Sequence, residues 1–173
     1  MTLANKITIL RILAIPLFVL ALIHHAQPLA RWIFGISVLS DALDGALARK
    51  RGERTPLGTF LDPLADKLLL VSCFITYAYL GWIPVAIVVL LFSRDFLILS
   101  GWSLVSILTN DFKIQPRLWG KATTALQMAF AVALLFDFHP FILWPLFYAM
   151  IGATVISCVD YVYIGYQKLG AQT

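Results

Sequence analysis

The chain has 173 residues, of which 61% are hydrophobic and only 13% are charged. Soluble domains average about 45–50% apolar and about 25% charged residues, so this chain has too few polar side chains to cover a water-facing surface. Its net charge is +4, and the positions of the basic residues along the chain, described below, account for it. The composition indicates an integral membrane protein, and the length predicts one domain over residues 1–173.

Six apolar segments follow one another along the chain. Each is long enough for a membrane-spanning helix and too long for a strand. They cover residues 7–24, 29–48, 58–80, 83–108, 118–137 and 139–165. The pattern predicts an all-α integral membrane protein with six transmembrane helices.

Basic residues are concentrated on one side of this topology. With six spans, that side holds the N-terminus, the 49–57 loop, the 109–117 loop and the C-terminus. The positive-inside rule then places both termini in the cytoplasm. We expect the protein in the cytoplasmic (inner) membrane. This asymmetry accounts for the net charge, so we expect no nucleic acid as a partner. We expect the basic residues on this side to contact anionic membrane lipid.

The first segment begins with polar residues at intervals of three, namely Asn5, Thr8 and Arg11. Residues with this spacing lie on roughly one face of a helix. Two interpretations are open. The stripe could face the phosphates of a ligand, or Asn5 could cap the helix and Arg11 could extend its side chain to the membrane surface.

The second and third segments contain four aspartates, Asp41, Asp44, Asp62 and Asp66, in otherwise apolar sequence. One aspartate near a bilayer centre costs roughly 2.5–3.5 kcal/mol, so four of them need a compensating partner. Divalent cations are such a partner for clustered carboxylates. The connecting loop is short, so we expect two antiparallel helices whose acidic faces meet. A structural alternative is that Asp62 caps a helix beginning at Pro63.

The fourth segment carries Arg94 and Asp95 near its middle. Ionisable residues inside a membrane are candidates for a functional site, although Arg94 could instead pair with another helix for structural reasons. Adjacent residues do not face each other on a helix, so we do not expect these two to pair. Farther on, Arg117 and Lys121 lie one helical turn apart and could bind an anion or lipid headgroups.

The run Asp41-x2-Asp44-Gly45-x2-Ala48-Arg49-x8-Gly58-x3-Asp62-x3-Asp66 resembles, position for position, the motif of the CDP-alcohol phosphatidyltransferase family. The resemblance implies six membrane helices with a cytoplasmic active site. It implies that a phosphatidyl group passes from CDP-diacylglycerol to an alcohol, with release of CMP. It also implies a homodimer.

By this resemblance, Asp41, Asp44 and Asp62 would bind two divalent cations, Mg²⁺ or Mn²⁺. Asp66 would bind one of these cations and act as the general base on the acceptor hydroxyl. The remaining matched residues and the polar stripe of the first segment would bind the CDP-lipid. This set consists of Asn5, Thr8, Arg11, Gly45, Ala48, Arg49 and Gly58.

Arg94, Arg117 and Lys121 are predicted to bind the acceptor in a cationic pocket beside the metals. Three cations suit the phosphomonoester of glycerol 3-phosphate, which is the acceptor of the family's phosphatidylglycerophosphate synthases. The run Ser93-Arg94-Asp95 resembles instead the CMP-forming cardiolipin synthases, which use phosphatidylglycerol. A cation-coupled transporter is a remote alternative, for which repeat symmetry would be expected.

Overall fold

The computed structural model describes the backbone of residues 3–51, 56–109 and 118–170. Within these ranges, side chains are described outside residues 3–6, 41–51, 56–60, 102, 104–109, 118, 165–166 and 168–170. The described backbone forms six helices. The all-α class and the number of helices are thereby confirmed.

Each predicted apolar segment coincides with one helix. The helices are α1 (Leu3–Ile23), α2 (Gln27–Arg51), α3 (Pro56–Tyr79), α4 (Val85–Thr109), α5 (Leu118–Leu135) and α6 (Pro140–Gly170). The agreement has a simple cause, because continuous apolar runs of this length satisfy their backbone hydrogen bonds internally as helices.

Three helices end in the same hydrogen-bonded motif, with a residue in the left-handed conformation just after the helix. That residue is His25 after α1 (φ 57°), Gly81 after α3 (φ 76°) and Asp137 after α5 (φ 52°). After α3, the Gly81 amide donates to the Ala78 carbonyl and the Trp82 amide to the Tyr77 carbonyl. This pair of bonds is the Schellman motif, which satisfies the last carbonyls of a helix and turns the chain sharply.

The helices group into two compact units, Met1–Ile83 and Pro84–Thr173. In the first unit, α1 packs against both α2 and α3. Phe18 and Phe34 contribute buried rings to that packing, with centroids 5.4 Å apart. In the second unit, α6 packs against both α4 and α5. Each unit therefore has one helix that packs against the other two, α1 in the first unit and α6 in the second.

The described surface is rich in apolar side chains. Trp32, Phe96 and Phe141 are each more than two-thirds exposed, and so many large exposed apolar side chains indicate contact with lipid or another apolar partner. Among the described residues, Pro140–Ile164 is the one stretch long and apolar enough to cross a bilayer, and Ile7–Ile23 is a shorter apolar helix.

Two structural alternatives about helix starts are wrong. α3 begins at Pro56 and continues through Pro63, so Asp62 lies inside the helix and does not cap it. Pro56 is itself a first-turn proline, which is where proline is best tolerated, and it starts the helix two turns earlier. α1 begins at Leu3, so Asn5 lies within the helix and is not its N-cap.

Candidate active site

Two polar side chains of α1 reach two aspartates of α3. Thr8 Oγ1 donates a hydrogen bond to Asp62 Oδ1 at 2.7 Å. Arg11 Nη1 donates to Asp66 Oδ1 at 3.1 Å. Both pairs advance in the same direction along the two helices, so α1 and α3 run parallel. The polar stripe of the first segment and the second half of the acidic motif thus form one cluster.

This cluster is largely removed from solvent on the α1 side. Thr8 and Arg11 are buried, and Arg11 is only 4% exposed. The interpretation in which Arg11 extends to the membrane surface is therefore wrong. A buried guanidinium is costly without a partner, and the Asp66 carboxylate supplies opposite charge within hydrogen-bond distance.

The chemistry of the two aspartates fits a divalent cation. A carboxylate offers about four lone-pair positions, so an aspartate that holds one hydrogen bond retains capacity for a metal. Carboxylate oxygens are the hard ligands that Mg²⁺ and Mn²⁺ prefer. Within the side chains that the structure describes, no group of three or more potential metal ligands occurs. The other two expected ligands, Asp41 and Asp44, lie outside those side chains.

The remaining residues predicted to bind the cations or the CDP-lipid also lie outside the described side chains. Its residues belong to described helices, and they are Asn5 in α1, Asp41, Asp44, Gly45, Ala48 and Arg49 in α2, and Gly58 in α3. The expectation that the acidic faces of α2 and α3 meet depends on Asp41 and Asp44, which are among these residues.

In the second unit, Arg94 of α4 is held from three directions. Its Nη1 donates to Asp95 Oδ1 at 2.7 Å. Its Nε donates to Ser157 Oγ of α6 at 3.2 Å, and its Nη2 contacts the same hydroxyl. The guanidinium carbon lies 5.9 Å from the centre of the Tyr161 ring. This distance is within the range of a cation–π contact.

The expectation that Arg94 and Asp95 do not pair is wrong. Helical spacing separates their Cβ atoms, but the arginine side chain is long enough to turn back toward its neighbour. The structural alternative for Arg94 also has support, because the contacts with Ser157 and Tyr161 join α4 to α6. Arg94 itself is buried, at 6% exposure.

A cavity of about 490 Å³ adjoins this arginine. Its lining includes the polar side chains of Arg94, Lys121, Thr124 and Tyr161 and the backbone of Gly120. The structure therefore brings together two of the three cations predicted to bind the acceptor. The third, Arg117, lies outside the described residues. Such a cavity can take a small ligand with a negatively charged group.

Sequence reasoning missed two residues of this arrangement, Ser157 and Tyr161. They lie one turn apart on α6, and polar groups at that spacing in an apolar helix form a possible contact face. The spacing gives no indication that the face meets Arg94, because that contact joins residues 63 positions apart.

The family can now be assigned. A family model described as CDP-alcohol phosphatidyltransferase matches residues 1–159, which include five whole helices and most of α6. Together with its acidic motif, this defines a membrane-associated, all-helical transferase. The chain belongs to the CDP-alcohol phosphatidyltransferase family, whose enzymes act in phospholipid biosynthesis. Family membership leaves no basis for the transporter alternative.

Individual relatives are similar over much of the chain. A "Probable phosphatidylglycerophosphate synthase" of Mycobacterium tuberculosis is 33% identical over 184 residues, covering 97% of this chain and 83% of the relative. A "CDP-diacylglycerol--glycerol-3-phosphate 3-phosphatidyltransferase" of Haemophilus influenzae is 33% identical, covering 77% and 75%. Human "Cardiolipin synthase (CMP-forming)" is 33% identical, covering 57% and 33%. The names of these relatives include both of the enzyme types suggested by the sequence.

Proposed function

We propose that this chain transfers the phosphatidyl group of CDP-diacylglycerol to glycerol 3-phosphate, which yields phosphatidylglycerophosphate and CMP. Family membership supports the transfer reaction, and the names of the mycobacterial and Haemophilus relatives support the acceptor. The observation that carries the choice of acceptor is the cavity lined by both Arg94 and Lys121.

The charge of the acceptor decides between the two candidates. Glycerol 3-phosphate ends in a phosphomonoester, which is close to a dianion at neutral pH. Phosphatidylglycerol offers a monoanionic phosphodiester attached to two acyl chains. Arginine binds a phosphate through paired N–H groups and lysine acts as a point charge, so a doubly charged group suits them better. Arg117, one turn before Lys121 in sequence, would add a third cation.

The four aspartates of the motif, Asp41, Asp44, Asp62 and Asp66, are proposed to hold two divalent cations, Mg²⁺ or Mn²⁺. Such cations, when bound, neutralise the carboxylates and the pyrophosphate and stabilise negative charge on the departing CMP. In this proposal Thr8 and Arg11 orient the α3 carboxylates from the α1 side. The CDP-lipid site comprises Asn5, Thr8, Arg11, Gly45, Ala48, Arg49 and Gly58.

In the transfer step, the acceptor hydroxyl attacks the phosphorus on the lipid side of the pyrophosphate. A new phosphorus–oxygen bond forms as the bond to the CMP oxygen breaks in line with it. Asp66 accepts the proton that the hydroxyl loses, which is the general-base contribution. Arg11 holds Asp66 by one oxygen, and this fixes the direction of the carboxylate.

The membrane arrangement is part of the proposal. Six spans are proposed from the six apolar segments. The distribution of basic residues supports placing both termini in the cytoplasm, and the family resemblance supports a site at the cytoplasmic face of the inner membrane. A single domain over residues 1–173 is proposed, and the family match over residues 1–159 supports it. A homodimer is proposed on family resemblance, and a monomer mass both in mild detergent and in lipid nanodiscs would contradict it.

The experiment is a competition assay with the purified protein. CDP-diacylglycerol and Mg²⁺ are supplied together with both acceptors, and the lipid products are separated. Phosphatidylglycerophosphate as the main product, with stoichiometric CMP, is expected. Absence of CMP release with either acceptor would refute the transferase proposal.

Cardiolipin synthesis is the alternative function. It is favoured by the run Ser93-Arg94-Asp95 and by the similarity to the human cardiolipin synthase over 57% of this chain. In the competition assay, cardiolipin as the main product would reverse the choice of acceptor and leave the transfer mechanism intact.

A further inference from the structure

The acceptor cavity has a point on its wall where the backbone carries no side chain. At Gly120, an added Cβ would lie 3.3 Å from Tyr161 Oη and 3.4 Å from Arg94 Nη2. The hydroxyl and the guanidinium therefore border one small space directly over the Gly120 backbone. Because glycine has no Cβ, a ligand can approach the backbone closely at this point.

Arg94 retains hydrogen-bonding capacity toward this space. A guanidinium has five N–H donors. The contacts with Ser157 engage the Nε donor and one on Nη2, and the contact with Asp95 engages one on Nη1. One donor on each terminal nitrogen remains for a ligand. The same contacts fix the plane of the guanidinium, so these two donors have defined directions.

The charge of the cavity favours an anion. Its described lining contains two cations, Arg94 and Lys121, and no carboxylate. Tyr161 contributes to the same wall, and its ring lies 5.9 Å from the guanidinium carbon of Arg94. The tyrosine thus presents a neutral O–H donor beside a positive charge. Phosphate oxygens accept hydrogen bonds from both kinds of group.

We infer that Tyr161 is an acceptor-binding residue, whose hydroxyl donates a hydrogen bond to a phosphate oxygen of the acceptor in the space over Gly120. This rests on the proposed function and adds to it a residue of α6 and a requirement for glycine in α5. The ligand chemistry is a phosphate group, carried by glycerol 3-phosphate as a monoester or by phosphatidylglycerol as a diester.

The first test removes the hydroxyl and keeps the ring. Tyr161→Phe is expected to raise the KM for glycerol 3-phosphate about tenfold, the size of effect expected when a hydrogen bond to a charged group is lost. The KM for CDP-diacylglycerol and the melting temperature should stay unchanged. Tyr163→Phe is the matched control, because Tyr163 lies in the same helix and is 59% exposed.

The second test fills the space. Gly120→Ala places a methyl group against Tyr161 Oη and Arg94 Nη2, so it should raise the same KM by tenfold or more. Alanine is the better helix former, so stability should not fall for reasons of helix propensity. Gly152→Ala is the control, because a Cβ at Gly152 meets nothing within 4 Å.

Direct binding separates this inference from the proposed function. Calorimetry with glycerol 3-phosphate alone, without CDP-diacylglycerol, gives a Kd for wild type and for Tyr161→Phe. A Kd that is weaker in the variant supports the contact even if transfer assays show a different acceptor. If the wild type uses phosphatidylglycerol, the same variants are assayed with that lipid, and a raised KM supports a contact with its phosphodiester.

Three results would contradict the proposed role of Tyr161. Unchanged acceptor KM in both Tyr161→Phe and Gly120→Ala, with whichever acceptor the wild type uses, would overturn the inference. No binding of glycerol 3-phosphate to a wild type that also ignores phosphatidylglycerol would overturn it together with the proposed function. Equal effects of Tyr163→Phe and Tyr161→Phe would also refute it.

Discussion

Arg11 Nη1 and Asp66 Oδ1 lie 3.1 Å apart, although 55 residues separate them in the sequence. Three residues before Arg11, Thr8 makes the corresponding contact with Asp62. Each of these two α3 carboxylates therefore accepts a hydrogen bond from a side chain of α1. In metal enzymes, mutation of a group that holds a ligand in place typically lowers metal affinity or activity by about 10–100-fold.

Asp66→Asn should abolish catalysis and retain much of the CDP-lipid binding. Asparagine keeps the shape and can still accept the Arg11 hydrogen bond, but it cannot take the hydroxyl proton. A general base contributes about 10²–10⁴-fold, so kcat should fall by at least a hundredfold. Asp41→Asn and Asp44→Asn should weaken cation and nucleotide binding as well.

The control for this variant is Asp137→Asn, in the exposed turn after α5, where φ is 52°. Asparagine tolerates that conformation as well as aspartate does, so activity should be unchanged. Retention of more than about a tenth of the wild-type rate by Asp66→Asn would be incompatible with a general-base role.

Thr8→Val should raise the cation concentration needed for half-maximal activity by about tenfold, as expected when a group that orients a metal ligand is removed. Valine has the shape of threonine but cannot donate the hydrogen bond to Asp62. The measurement is activity against Mg²⁺ concentration.

Thr76→Val is the matched control, since Thr76 is a buried threonine of α3 whose hydroxyl donates to the Ser72 carbonyl of its own helix. A cation requirement that is the same in both variants would show that the Thr8 contact has no part in metal binding.

Removal of divalent cations should abolish turnover. Four carboxylates in apolar segments require positive charge, and Arg11 is the described cation bound to Asp66. Treatment with EDTA is expected to stop CMP release, and added Mg²⁺ or Mn²⁺ should restore it. Full activity of a preparation shown to be metal-free would count decisively against the two-cation site.

Lys121→Ala and Arg117→Ala should each raise the KM for glycerol 3-phosphate about tenfold and leave the KM for CDP-diacylglycerol nearly constant. Each change removes one charge-assisted contact with the acceptor phosphate. Arg31→Ala, on the opposite side of the proposed topology, serves as the control cation. A parallel rise in both KM values would indicate a general loss of structure and would contradict a specific acceptor role.

The helices themselves could be predicted from the sequence because their signal is local. Apolar runs such as 118–137 and 83–108 differ from α5 and α4 by no more than two residues at either end. The start of α3 also differs from the predicted segment 58–80 by only two residues, and the alternative start at Pro63 arose because Pro56 and Pro63 are both compatible with a first turn. The two prolines carry the same local signal, so the sequence alone does not decide between them.

The contacts of the site could be predicted only in part. The motif identified Asp62 and Asp66, and the spacing of Thr8 and Arg11 identified a polar face. Neither the motif nor the spacing could show that this face meets those aspartates. The partner of a buried polar group depends on which helices pack together. Arg94 illustrates the same limit, since its contacts with Ser157 and Tyr161 depend on the packing of α4 against α6.

The long sequence separation of Arg11 and Asp66 has a consequence for biosynthesis. In a six-span topology, α1 reaches the bilayer while Asp66 has yet to leave the ribosome. A buried arginine without its counterion costs about 2.5–3.5 kcal/mol on insertion scales. A nascent chain that ends before residue 66 therefore holds α1 in a less stable position than the finished protein does. In such a topology, α1 therefore reaches its full stability only after α3 has been synthesised and has packed against it.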